Sequence, residues 1–95
     1  MQIIRQDKSP DGLNYLCALP EGVCSQLVEV WSRDGRIEKI HFTGGCHGNT
    51  QGVARLAQGR TFKELISLLK GINCGGKGTS CPDQLAEVLE AVSCQ

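Results

Sequence analysis

Cysteine thiols are the groups best suited to chemistry in this 95-residue chain, and four of its six cysteines lie in glycine-rich or turn segments. These four are Cys24, Cys46, Cys74 and Cys81. Thiolates in a tetrahedron are ligands that suit Zn²⁺ and iron–sulfur clusters. No two cysteines have the Cys-x-x-Cys spacing of a zinc finger, so the prediction depends on the loops around them. We predict that the four thiolates hold one Zn²⁺ or one iron–sulfur cluster per chain, and that Cys17 and Cys94 are packing or tail residues.

The glycine-rich segment 71–83 carries two of these cysteines and leads into a helix. Three of the six residues from 74 to 79 are glycine, which lets the backbone fold tightly around a bound group. Ser80 or Cys81 stands at the N-cap, and Pro82 follows in the first turn, where its missing N–H costs nothing. Cys81 is therefore predicted at a helix N-terminus, a position that favours a thiolate as ligand or nucleophile.

Three further polar side chains lie beside the cysteines in the sequence: His47, Lys77 and Asp83. We predict that they support the metal ligands by hydrogen bonding or bind an anion, and for Asp83 a helix-end charge is the simpler interpretation. The glycine loops 44–48 and 74–78 both precede predicted helices, as phosphate-binding loops do, with Lys77 as the charge partner. Neither loop matches the P-loop or dinucleotide fingerprint, so nucleotide binding is the weaker alternative.

A β-hairpin is predicted to bring two of the cysteines together. Asp34 and Gly35 separate two runs rich in β-branched and aromatic residues, 25–32 and 37–42, which is a strong hairpin signal. With a two-residue turn, paired positions add up to 69, so Cys24 faces residue 45, next to Cys46 in the sequence.

The same pairing also predicts which hairpin side chains share a face. It puts Leu27 opposite Phe42 and places Trp31 on the face of Phe42, which makes the two aromatic residues core candidates. His41 alternates along the strand and is predicted to be structural. Residues 1–22 are weakly patterned and predict one or two short strands.

Helical patterns fill the rest of the chain. One helix follows the loop 43–50, with Val53, Leu56 and Ala57 as its apolar side. A capping box at Thr61 opens the next helix, and the last runs from about residue 82 to residue 92. We predict a single α+β domain over residues 1–95: a small antiparallel sheet with a central hairpin, covered by about three helices, with the cysteines gathered at one end.

Composition and charge argue against several classes of protein. Ten basic and ten acidic residues give a formal net charge of zero, without the basic excess of a dedicated nucleic-acid binder. Charges near the N-terminus interrupt the apolar run of a signal peptide, and no stretch approaches membrane-spanning length. We therefore predict a cytoplasmic protein that does not bind membranes. Six cysteines in a reducing compartment favour metal or redox chemistry, although their even number leaves a disulfide framework as an alternative.

The run TSCPD at residues 79–83 resembles the signature of the TSCPD domain family. Matching motifs at 22–25, 42–49 and 71–75 extend the resemblance over about residues 20–92, and they are similar to a small stand-alone branch with four cysteines. In that branch the recurring cysteines correspond to the four predicted ligands. Related domains lie at the end of vitamin-B12-dependent ribonucleotide reductases, so the resemblance implies a relationship to ribonucleoside-diphosphate reductases.

A weaker resemblance is to the U-type iron–sulfur cluster scaffold proteins. They share a cysteine before a strand, a hairpin, and cysteines that open two helices. Cys24, Cys46 and Cys81 match these positions, with Cys74 as an addition. The scaffold's acidic ligand near its first cysteine has no counterpart here.

These observations favour an accessory role. A reductase needs a large barrel for its radical and substrate, which 95 residues cannot supply, so we do not expect catalysis by the chain alone. We expect a metal-binding domain linked to deoxyribonucleotide synthesis through a protein partner. The alternatives are a cluster scaffold or sulfur acceptor using Cys81 or Cys46, and a thiol redox or reductase-associated enzyme using Cys74 and Cys81.

Overall fold

The computed structural model of the protein describes residues 2–20, 25–44, 47–73 and 78–93. Seven elements follow one another in the order β1 (Gln2–Lys8), β2 (Asn14–Leu19), β3 (Ser25–Arg33), β4 (Arg36–Gly44), α1 (His47–Ala57), α2 (Phe62–Leu69) and α3 (Cys81–Ser93). The strands form one antiparallel sheet in the order β1-β2-β3-β4. The predicted α+β architecture is confirmed, and the weakly patterned start of the chain supplies two strands. No helix among the described residues is long and apolar enough to cross a membrane.

The β3–β4 hairpin forms one half of this sheet and has the predicted two-residue turn. Arg33 pairs with Arg36 across it. Asp34 and Gly35 have φ angles of 53° and 76°, the left-handed backbone that a type I′ turn requires at both central positions. An Asp-Gly pair adopts this conformation at little cost, which explains why the turn could be predicted from two residues.

Two irregularities in the hairpin change the predicted pairing and then restore it. Between Trp31 and Ser32 the register shifts by one residue, so Phe42 pairs with Val28 and not with Leu27. A second shift between residues 25 and 27 returns the ladder to the predicted register at its end, where Ser25 pairs with Gly44. The predicted neighbours Cys24 and Cys46 lie outside the described residues.

The first shift also corrects the prediction that Trp31 and Phe42 share a face. Phe42 packs against the core beside Val28 and Val30, whereas Trp31 lies on the opposite face of the sheet, with its ring next to Lys39. An extra residue in β4 turns every later side chain of that strand over.

The hairpin turn is also where α1 ends and α2 begins. Gly59 N donates to Ile37 O at 2.8 Å, and Ile37 N donates to Arg60 O at 2.9 Å. Phe62 N then donates to Gly35 O at 3.1 Å, which fixes the start of α2. Because β4 runs away from the turn and α1 comes back to it, α1 begins near the far end of the sheet.

The core lies between the helices and one face of the sheet. On α3, the predicted stripe is confirmed: Leu85, Val88 and Leu89 are completely buried, and Val92 packs against them. The apolar side predicted for α1 is covered only in part, because Ala57 is buried while Leu56 is 71 % exposed. Burial of apolar area in this one cluster is the main force that holds the helices on the sheet.

Candidate metal site

Only part of the predicted metal site falls within the described residues. The structure does not describe four of the seven predicted site residues: Cys24, Cys46, Cys74 and Lys77. His47 is the first residue of α1. Among the residues that are described, no group of three or more His, Cys, Asp or Glu side chains is arranged to hold a metal ion. The four-cysteine site therefore stays a prediction.

The two cysteines that the structure describes are both buried. Cys81 is the first residue of α3 and is 9 % exposed. Cys17, predicted to be a packing residue, is 6 % exposed on β2. Burial of Cys17 fits that prediction, since a thiol packs like a small apolar side chain.

Ser80 is the N-cap of α3, which settles the choice between Ser80 and Cys81. Its Oγ accepts a hydrogen bond from Asp83 N at 3.1 Å, and its carbonyl accepts from Gln84 N at 2.9 Å. Pro82 occupies the second helical position, where no intrahelical donor is needed. Cys81 thus sits in the first turn of a well-capped helix, as the sequence predicts.

Asp83 ties the two ends of the segment 71–83 together. Its Oδ1 accepts from Gly71 N and its Oδ2 from the Thr79 hydroxyl, both at 2.6 Å. These donors, the Thr79 hydroxyl above all, hold the pKa of the Asp83 carboxyl below its usual value. Thr79 Oγ1 also accepts from Gln84 Nε2 at 3.0 Å. Asp83 is therefore a helix-end charge that also anchors the loop.

A second hydrogen bond closes the inner part of this loop. Asn73 Oδ1 accepts from Gly78 N at 2.8 Å. These two residues stand immediately before and after 74–77, the part of the chain that contains Cys74 and Lys77. This contact is absent from the sequence-based predictions, although an asparagine that bonds to nearby backbone is a recognised turn signal.

The described elements show on which side of the molecule, relative to the hairpin turn, α1 and α3 begin. Helix α2 starts beside Gly35, and the chain just after it bonds to Asp83 through Gly71. Helix α3 then returns, since Val92 lines a cavity of about 370 Å³ together with Gly35 and Phe62. Both α1 and α3 therefore begin away from the turn. The last described pair of the β3–β4 ladder, Ser25 and Gly44, also lies away from it.

A second polar cluster lies on the face of the sheet away from the helices. The Tyr15 hydroxyl donates to Glu29 at 2.5 Å, and His41 Nδ1 lies 3.5 Å from the same carboxylate. The hydrogen bond to the Glu29 carboxylate is the main cause of the strongly raised pKa of the Tyr15 hydroxyl. The Tyr15 ring is tilted against Trp31 with centroids 5.2 Å apart. His41 thus lies beside Glu29 with its side chain more than half exposed.

The described geometry defines a small α+β domain with a cysteine at the start of its last helix. Its sequence matches the TSCPD domain over residues 8–93, and the chain belongs to that family. The resemblance drawn from the TSCPD run is thereby confirmed. A comparison with curated proteins finds no match, and a comparison with solved structures finds none.

Proposed function

We propose that this protein is an accessory metal-binding domain in which four thiolates hold one Zn²⁺ or one iron–sulfur cluster. The ligands are Cys24, Cys46, Cys74 and Cys81. The observation that carries the proposal is the anchoring of the described residues on both sides of 74–77. Asp83 accepts a hydrogen bond from Gly71 N and Asn73 accepts one from Gly78 N, so the residues that flank Cys74 in the sequence are tied to the start of α3, where Cys81 lies. Four thiolates form a soft donor set that suits zinc or iron–sulfur chemistry.

The hairpin supports the other half of the proposed ligand set. Cys24 directly precedes Ser25, and Cys46 directly precedes the first residue of α1. Ser25 pairs with Gly44, so the described sheet residues nearest to these two cysteines in the sequence lie side by side. Both α1 and α3 begin at positions away from the hairpin turn, which is the arrangement needed for four cysteines to approach one ion.

Charge gives roles to the remaining predicted residues. A Zn²⁺ ion with four thiolates carries a net charge of −2, and the partial positive charge at the starts of α1 and α3 would offset part of it. We propose that Lys77 adds a full positive charge and that His47 donates a hydrogen bond to a thiolate. Asp83 acts through the loop that it anchors and not as a ligand.

The burial of Cys81 favours a closed site over a sulfur-transfer site. A persulfide acceptor must meet its donor, whereas Cys81 is only 9 % exposed. We therefore place the scaffold function, suggested by the resemblance to the U-type proteins, second. We also propose that the domain works in the cytoplasm with a protein partner in deoxyribonucleotide synthesis, by analogy with the related reductase domains, and that it is not catalytic alone.

Elemental analysis with an absorption spectrum, on protein purified anaerobically without added metal, tests the proposal. One zinc per chain without visible absorbance supports a structural four-cysteine site, and iron with sulfide and a brown colour supports a cluster. Cys46→Ser and Cys81→Ser should lower metal content and stability together. Cys94→Ser is the matched control and should change neither. Equal losses in all three variants, or wild-type protein without metal, would refute the ligand assignment.

A further inference from the structure

The edge of the sheet at β4 forms a groove with helix α1. Strand β4 is the last in the order β1-β2-β3-β4. Its residues 39–42 line a cavity of about 220 Å³ together with one side of α1. Because alternate residues of a strand point to opposite faces of a sheet, a cavity lined by consecutive ones runs along the edge of the strand. We call this cavity the edge groove; it is lined by residues 39–42, Thr50, Gln51, Ala54, Arg55 and Gln58.

The main chain of β4 is unpaired along this groove. From Lys39 to Thr43 the strand pairs with β3 without a shift of register. Among the residues that the structure describes, no main-chain group bonds to 39–43 on the side away from β3. At the start of β4 the chain itself occupies that side, where Arg36 forms an antiparallel bridge with Thr61. An edge with unpaired N–H and C=O groups is a template for a further strand.

The opposite edge of the sheet, β1, is protected against such an addition. It carries charges of both signs, and its ladder shifts register between Ile3 and Arg5. Charged side chains and irregular pairing are devices by which natural sheets keep their edges apart from other chains. In β4 the register shifts lie before residue 39 and after residue 43, so the part beside the groove stays regular.

The side chains of the edge groove alternate between apolar and basic. Ile40 and Phe42 belong to the face that packs on the core, and Ala54 of α1 lies beside them. Lys39 and His41 lie on the opposite face and are exposed. The side chains of an added strand alternate in the same way and meet those directly across from them. A matching segment would therefore be apolar next to Ile40 and Phe42 and acidic next to Lys39 and His41.

Charge selects the partner. None of the described residues that line the groove is acidic, whereas Lys39, Arg55 and, when protonated, His41 are positive. Lys39 also lies over the Trp31 ring, and His41 lies beside Glu29, but Arg55 is exposed and makes no ion pair with another described residue. Two copies of this edge would set like charges against each other, which disfavours pairing of β4 with itself.

We propose that the edge groove binds an extended acidic segment of a protein partner, which adds a strand to the sheet beside β4. Acidic and apolar residues alternate in that segment. Main-chain hydrogen bonds to β4 supply affinity, and the basic side chains supply specificity. The inference goes beyond the proposed metal-binding function and is independent of it, because none of the lining residues is a proposed ligand.

A short synthetic peptide of alternating Glu and Val, with blocked ends and a fluorescent label, is the probe. Its anisotropy should report binding with a Kd between about 10 μM and 1 mM at low ionic strength, weakening as salt is added. Arg55→Glu should weaken binding by about 3- to 10-fold. Lys63→Glu is the matched control, since it makes the same charge change at an exposed position of α2, outside the groove, and should leave binding unchanged.

Methylation of the peptide's amide nitrogens tests the main-chain pairing. Alternate N–H groups of an added strand face β4 and the others face away. Methylating one alternate set should therefore weaken binding by about 10-fold or more, while methylating the other set should have little effect. In NMR spectra of the wild-type protein, the amide shifts caused by the unmodified peptide should centre on residues 39–43.

Four results would overturn the proposal: no binding at about 1 mM peptide, equal binding of a Lys and Val peptide, equal binding of both methylated peptides, or amide shifts away from β4. A dimer through β4, seen in sedimentation of the chain alone, would also overturn it. Circular dichroism checks that Arg55→Glu is folded, and Lys39→Glu replaces it if it is not. Metal analysis of the same samples separates the two proposals: peptide binding by metal-free protein refutes only the metal site, and metal without peptide binding refutes only the groove.

Discussion

Replacing Asp83 with alanine should release both ends of the segment 71–83. The carboxylate accepts two hydrogen bonds at 2.6 Å, one from Gly71 N and one from the Thr79 hydroxyl. Net stabilisation by a hydrogen bond to a charged group is about 1.5–3 kcal/mol, and a negative charge in the first turn of a helix adds about 0.3–1 kcal/mol. Because Asp83 is only half-buried, we expect the combined loss to lie near 2–3 kcal/mol.

Urea unfolding, followed by circular dichroism with a chelator present and again with metal, measures this loss. For a domain of this size, 2–3 kcal/mol corresponds to a fall of roughly 10–20 °C in Tm. Asp83→Asn should have an intermediate effect, because the amide oxygen can still accept from Gly71 N. Glu87→Gln is the matched control: it removes a charge from the same helix and keeps an acceptor for Gln84 Nε2, its present donor.

Two results would contradict this reasoning. If the free energy of unfolding of Asp83→Ala lies within about 0.5 kcal/mol of that of the Glu87→Gln control, the two hydrogen bonds do not hold the loop. If Asp83→Ala is destabilised yet binds metal with unchanged affinity, the hydrogen bonds of Asp83 do not position the proposed ligands Cys74 and Cys81.

Four further predictions concern the scaffold. Thr61→Ala should lower the free energy of unfolding by about 1 kcal/mol in urea, since it removes the N-cap of α2. Hydrogen bonds from Thr61 lower the pKa of the Glu64 carboxyl in the folded protein. Its stabilising contribution is therefore present above the ordinary pKa near 4.3 and is lost as the pH falls through the lower folded pKa. In an acid titration, the free energy of unfolding of Glu64→Gln should fall less steeply than that of the wild-type protein. Tyr15, the one tyrosine in the chain, should ionise well above pH 10 in an ultraviolet titration, and Glu29→Gln should move its pKa down towards that ordinary value. Leu85→Ala should cost about 2–5 kcal/mol in urea unfolding, because Leu85 is completely buried.

Features set by neighbouring residues could be predicted from the sequence. The turn at Asp34 and Gly35, the capping box at Thr61 and the buried stripe of α3 each follow from a few adjacent side chains and appear as expected. The face of the sheet on which Trp31 lies could not be predicted in this way, because the register shift beside Trp31 depends on how the whole sheet twists and packs. Periodicity likewise placed Leu56 on an apolar side without showing whether anything covers that side.

The candidate site shows the same limit. Residue types and loop composition were enough to place Cys81 at the start of the last described helix, where the structure has it. The bonds that shape the segment, from Asp83 to Gly71 and from Asn73 to Gly78, join residues twelve and five positions apart. No local pattern specifies the contact between Asp83 and Gly71, since it depends on where α2 ends against the start of α3, whereas the contact of Asn73 with nearby backbone has a local turn signal.

The strand order has a consequence for how the chain folds as it is made. Each strand pairs with its neighbour in the sequence, so the sheet can assemble by successive hairpins with short loop closures, which favours rapid formation. Its inner face, with Val28 and Val30, belongs to the same core cluster as Leu85 and Leu89 of α3. That helix is the last described element to be synthesised, and the ribosome exit tunnel delays its arrival at the sheet. Because α1 packs on β4 before α3 is made, a nascent chain without α3 should expose the part of the apolar sheet face that α3 would cover, and translational arrest before residue 81 should leave it bound to chaperones.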